Sequence, residues 1–137
     1  MATFLLELVS PAKLLLSRQV EMATIPAVEG EMGVLPGHAP MIVALKGGVL
    51  RLRENGQETE KLFVAGGFAE VSAERVTVLA DEATPLAQLS RATAEKTLAA
   101  AEAEMAAVAG TDPVEKREAA LLRLLSAQAA VAVAEAA

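Results

Sequence analysis

Cysteine is missing altogether from this chain, so disulfides and thiolate-bound metals are excluded, which fits a reducing compartment. Tryptophan and tyrosine are missing too, and Phe4, Phe63 and Phe68 are the only aromatic rings. The 12 basic residues are outnumbered by 18 acidic ones, for a net charge of -6. A nucleic-acid binder needs a basic face and stacking rings, and neither is present. His38 is the single histidine. It has no second histidine to share a metal and no cysteine or Ser-His-Asp partners, which argues against a catalytic centre. The most apolar stretch, residues 119–134, is alanine-rich and carries Arg123, Ser126 and Gln128. It is expected to fall short of a membrane span of ~20 strongly apolar residues. Glu7 interrupts the apolar N-terminus, which lacks the basic flank of a targeting peptide. A cytoplasmic protein is the expectation.

What is present divides into two periodicities. With 137 residues, the chain suffices for one domain and an appendage. From Thr3 to about Ala83 the apolar residues recur with period two in short runs cut by glycine, proline and charge. In VLRLR, Leu50 and Leu52 alternate with Arg51 and Arg53, giving one dry and one wet face. Asn55-Gly56 then marks a hairpin turn, because that pair accepts positive φ at both central positions. Strands are predicted over 3–9, 14–25, 41–45, 49–53, 60–65, 68–72 and 75–80. Many short strands with glycine turns imply two stacked antiparallel sheets, with Leu6, Leu8, Val20, Leu50, Leu52, Val64, Val71, Val76 and Val78 as the core.

At Thr84 and Pro85 the pattern turns helical, with a capping residue before a proline suited to the first turn. A helix is predicted from there to about Ala109, carrying the stripe Leu98, Ala101, Met105 and Val108 and stopped by Gly110. A second helix follows, capped by Asp112 and Glu115, opened by Pro113 and making its apolar contact through Leu121, Leu122, Leu124 and Leu125. The short link makes the pair antiparallel. The fold class is therefore α+β: an all-β sandwich over residues 1–84 and a two-helix hairpin over 85–137. Alanine buries little surface per residue, so the hairpin is expected to be held weakly.

The segment EGEMGVLPGHAP, residues 29–40, concentrates Gly30, Gly33, Gly37, Pro36, Pro40 and His38 between extended apolar runs. It reads as a shaped loop that loses little further entropy when a partner docks. Glu29 and Glu31 are either a solvated acidic pair or a place where carboxylates converge on a cation. His38 is either a hydrogen-bonded loop residue or a contact residue. Gly47-Gly48 and Gly66-Gly67 lack the lysine and hydroxyl of a P-loop, so they read as turns or close strand approaches.

Taken with VSPAKLLLSRQVEM, LKGGVLRLR, FVAGGFAEV and VTVLADEA, that segment resembles the epsilon subunit of bacterial F-type ATP synthases, the equivalent of the mitochondrial delta subunit, over nearly the whole chain. The resemblance implies a non-catalytic rotor subunit of the central stalk that couples rotation of the c ring to the gamma shaft. It implies contact with the c ring through Glu29, Gly30 and Glu31, and with gamma through His38, Ala39, Pro40 and Met41. The place would be the cytoplasmic side of a bacterial inner membrane, with the membrane reached only through partner subunits. Some members carry a nucleotide-sensing pattern in the hairpin. Arg91 and Ala92 match it, but Ala87 and Gln88 stand at its aliphatic and acidic positions, so ATP binding is not expected and no cofactor is implied. In inhibitory members the second helix meets the alpha/beta head through basic residues. Here Lys116, Arg117 and Arg123 are interspersed with Glu115 and Glu118, so inhibition is expected to be weak. The competing class is a free-standing adaptor that binds a helical partner.

Overall fold

A computed structural model describes residues 2–136. Eight strands precede two helices: β1 (Phe4–Val9), β2 (Leu14–Val20), β3 (Met22–Ala27), β4 (Gly30–Val34), β5 (Met41–Glu54), β6 (Gln57–Val71), β7 (Arg75–Ala80), β8 (Ala83–Pro85), α1 (Arg91–Ala107) and α2 (Val114–Ala136). The strands form one continuous ladder in the order β2-β1-β7-β6-β5-β3-β4, with β8 on β6. All pairs are antiparallel except β1 with β7, which run parallel with Leu6 beside Val76. The sandwich is thus a mixed sheet folded onto itself. Its closure shows in Arg18 of the terminal strand β2, which donates to Glu54 of β5 and Glu60 of β6, strands not adjacent to it in the ladder, 3.2 and 2.9 Å away.

The strands β5 and β6 make that fold possible because each runs through both layers. Near the tip their inward residues are Leu50, Leu52, Leu62 and Val64; beyond the corner they are Val43, Leu45, Ala69 and Val71. The inward parity therefore switches from even to odd between Gly47-Gly48 and Gly66-Gly67, which is why each strand reads as two in the sequence. At the corner Gly67 has φ +121, and a β-carbon there would lie 1.9 Å from the Leu79 carbonyl oxygen. Only glycine fits. The hairpin at the tip turns through Asn55 and Gly56 with φ 53 and 75, as the Asn-Gly pair predicts. All nine predicted core residues are buried, with Leu6, Leu8, Leu50 and Leu52 wholly so.

Three local expectations give way. The predicted strand 14–25 breaks at Glu21 into β2 and β3. Thr84 and Pro85 do not open a helix: they pair with Phe63 and Leu62 as the edge strand β8. Here sheet pairing overrides a capping signature. The helix α1 starts six residues later, where Ser90 caps it by accepting from the Thr93 amide at 3.3 Å. It ends at Ala107 with Val108 as its cap, before Gly110 is reached. Asp112 turns its carboxylate back to the Ala109 amide at 2.7 Å, and the Pro113 carbonyl accepts the first bonds of α2.

The helices are antiparallel, joined by ion pairs of Arg123 with Glu104 and of Arg91 with Glu135. The stripe on α1 faces inward as predicted, with Ala101 buried and Leu98, Met105 and Val108 half-buried. On α2 the leucine expectation holds only for Leu124, which is half-buried. Leu121, Leu122 and Leu125 are exposed, and Ala120, Ala127 and Ala130 are the buried residues. Close approach decides this. A β-carbon on Gly47 would lie 2.8 Å from the Ser126 Cα, and Ser126 Oγ donates to the Ala65 carbonyl at 2.8 Å. A leucine facing the sheet would hold the helix away from both. By length and composition α2 also meets the requirement for a membrane span, with mean hydropathy 1.4. Leucine and valine supply more of that hydropathy than alanine does, but the helix is packed against Phe63 and Ala65 of the sandwich and against Leu89 ahead of α1.

Candidate partner-docking surface

The 29–40 segment is two structures rather than one loop. Residues 28–29 form the turn between β3 and β4, and Gly30 and Glu31 already pair with Ala27 and Pro26. The two carboxylates at the tip stand exposed. The tip is fixed to the sandwich because the Val28 amide donates to the Ala44 carbonyl at 2.9 Å. A second turn follows at 35–40. The Gly37 amide donates to the Ala73 carbonyl at 2.9 Å, with φ +84 at Gly37, and half-buried His38 places Nδ1 2.8 Å from the Ala39 carbonyl oxygen. Ala39, Pro40 and Met41 are exposed and lead directly into β5. Residues 29–31 and 38–41 therefore flank the start of β5, where Met41 and Ala44 are separated by ~10 Å of extended chain.

Arg91 and Ala92 lie elsewhere, on the first turn of α1. The Arg91 guanidinium bonds Glu95 at 3.1 Å and Glu135 at 3.5 Å, so its charge ties α1 to both itself and the end of α2. Gln88 sits in the 3-10 turn Leu86–Gln88 ahead of it. Arg123 is held to Glu104 by a hydrogen bond that raises its pKa above the ordinary value, with Coulombic attraction adding to it. Among the described residues no cluster of three or more His, Asp or Glu could hold a metal.

Starting beside the 29–31 and 38–41 segments, a surface not singled out from the sequence crosses the sheet from β5 to β2. On the outer face of the first layer, Ala44 stands opposite Phe68, Phe68 opposite Leu79, Leu79 beside Val9, and Val9 opposite Leu14. Ile42, at the end of this row, is 75% exposed and Phe68 56%. A connected apolar row of this kind on a sheet face marks a contact surface. Its signal in the sequence was phase: Ile42, Phe68 and Leu79 are large apolar residues out of step with the inward Val43, Ala69, Val78 and Ala80. The row is bordered by acid, with Glu70 opposite Ile42 and Asp81 beyond Leu79.

Fold and surface together define a β-sandwich docking module with an appended helical hairpin. Residues 3–86 match the model of the ATP synthase delta/epsilon chain beta-sandwich domain, and the chain belongs to that family. It is 68% identical over 83 residues to the ATP synthase epsilon chain of Granulibacter bethesdensis, covering 61% of this chain and 62% of that one. Against the ATP synthase epsilon chain of Gluconacetobacter diazotrophicus it is 51% identical over 78 residues, covering 57% of this chain and 55% of that one. The chain thus spans only about three fifths of the length of these curated relatives. In structure it is similar to a chain of the Euglena gracilis mitochondrial ATP synthase, in an OSCP/F1/c-ring assembly, with TM-score 0.72 and 28% identity over 96% of this chain and 81% of that one. A chain of the Tetrahymena thermophila central stalk and c ring shares the fold, with TM-score 0.64 and 15% identity over 96% of both chains.

Proposed function

We propose that this chain is the epsilon subunit of a proton-translocating ATP synthase, a non-catalytic part of the central stalk that fastens the c ring to the gamma shaft. The observation that carries the reading is the exposed apolar row that crosses the sheet from Ile42 on β5 to Leu14 on β2, with the 38–41 segment and the acidic β3–β4 tip both at its β5 end. Family membership gives the row its occupant. The row and His38 to Met41 take gamma, while Glu29, Gly30 and Glu31 meet polar loops of the ring. Apolar contact supplies affinity and the acidic tip supplies orientation, because exposed ion pairs add only ~0–1 kcal/mol each. Both contacts sit on one rigid body, so rotation of the ring is passed to the shaft. Catalysis belongs to other subunits.

The place that goes with this role is the cytoplasmic side of a bacterial inner membrane, reached through partner subunits. The hairpin works without nucleotide in this reading, because Arg91 is engaged by Glu95 and Glu135 and Gln88 supplies no carboxylate. Its grip on the alpha/beta head is weak, since Arg123 is occupied by Glu104 and Lys116 lies 3.7 Å from Asp112. The test is copurification from solubilised membranes with a tagged chain, in wild type and in Phe68→Glu. Gamma and c ring should accompany the wild-type chain and be lost with the variant while its circular dichroism is unchanged. A wild-type chain recovered without either subunit overturns the proposal and favours the adaptor reading.

A further inference from the structure

Alongside the middle of the apolar row a pocket of about 180 Å³ opens among Val9, Ser10, Pro11, Phe68, Leu79 and Asp81. An apolar cavity of roughly 150 Å³ holds a benzene-sized group, so this one has room for a single large side chain. Its walls are apolar, and its two polar side chains differ in what they still need. The Ser10 hydroxyl donates to the Lys13 carbonyl at 3.3 Å. Asp81 is exposed, and its carboxylate takes part in no ion pair or side-chain hydrogen bond among the described residues. Its backbone is fixed by the amide donating to the Gly66 carbonyl at 3.2 Å. The carboxylate lies over Gly66, where a β-carbon would be in ordinary contact with Asp81 Oδ2 at 3.5 Å. An apolar socket with one unpartnered carboxylate on its rim, carried on a held backbone, selects a definite chemistry.

We infer that this pocket receives an aromatic or large aliphatic side chain of the shaft subunit, carried within one turn of a lysine or arginine whose cation is taken by Asp81. The inference rests on the reading of the apolar row as the shaft's docking face. The socket is continuous with that row through Phe68 and Leu79, and the carboxylate sets which way round the inserted segment lies. A buried apolar anchor beside a rim charge divides the work, with the anchor setting residence time and the charge setting register and salt dependence.

The test is calorimetric titration of the full chain with purified gamma subunit at low salt and at 0.5 M salt, on the order of a threefold-shortened screening length. Asp81→Asn should lose affinity about three- to fivefold at low salt and match wild type at high salt. Asp81→Lys should lose more at low salt, whereas Glu74→Gln should behave as wild type. Phe68→Ala should lose affinity equally at both salts. If wild type binds gamma and Phe68→Ala is impaired while Asp81→Asn is indistinguishable from wild type at both salts, the pocket assignment is overturned and the docking face stands. If wild type shows no binding, the docking face falls and the pocket assignment with it.

Discussion

The sandwich and the hairpin bury residues of different size. In the sandwich Leu6, Leu8, Ile25, Leu50 and Leu52 are fully buried, while in the hairpin the buried residues are Ala94, Ala101, Ala120, Ala127 and Ala130, and three leucines of α2 face solvent. A buried leucine contributes about 1.5–3 kcal/mol relative to exposure, and alanine removes far less apolar area from water. The two regions therefore differ in how they are held. The sandwich is held by area, and the hairpin by close fit at Gly47 with one polar tie, Ser126 to Ala65. A region held by fit can leave its seat without disturbing the region held by area, because local opening follows the local density of buried contact.

The largest effect that would sharpen this contrast is expected at the corner of β6. Gly67→Ala puts a methyl into the Leu79 carbonyl at a φ that L-residues avoid, and should destabilise the whole sandwich by about 3 kcal/mol or more, read as a lower urea midpoint. An unchanged midpoint would mean that the corner relaxes freely and is not a fixed part of the body. Next comes Gly47→Val, where the obstacle is backbone of α2. Amide exchange across α2 should rise about tenfold or more while the exchange of β1 and β7 stays at wild-type level. Equal acceleration in both regions would break the comparison, since the hairpin and sandwich would then open as one unit. Ser126→Ala is the mildest. Loss of one hydrogen bond, which leaves the Ala65 carbonyl without its donor, should cost about 1 kcal/mol and speed α2 exchange roughly fivefold. No change there would assign the docking of α2 to apolar fit alone.

Much of the sandwich was legible because its alternation is clean. Residues 75–80 form β7 with Val76 and Val78 inward, as period two requires, and Asn55-Gly56 fixed the hairpin. Legibility failed where tertiary geometry changes the rule in mid-strand. The parity switch near Gly47 and Gly66 makes β5 and β6 look broken, although hydrogen bonding continues through the corner. Thr84-Pro85 carries a helix-opening signature that the pairing of Leu62 with Pro85 overrules. On α2 the leucines satisfy every local criterion for an inward face, and nothing in the sequence states that the opposing surface is a glycine requiring alanine and serine against it. The 29–40 segment shows both outcomes. Its glycines and prolines marked it as shaped, but the pairing of Gly30 and Glu31 with β3 had no local signal strong enough to separate strand from loop. The exposed row of Ile42, Phe68 and Leu79 was visible only as residues out of phase, which has no meaning until the inward phase of each strand is known.

The passage of β5 and β6 through both layers also determines how the body answers a sideways force. In a sandwich of two separate sheets, the layers can slide past one another against side-chain contacts alone. Here sliding would have to stretch two covalent chains and unzip the ladder between them, since the same 14 and 15 residues belong to both layers. Shear entering at the acidic tip beside Ala44 travels along backbone to the far layer, so such strain is met by the polymer itself.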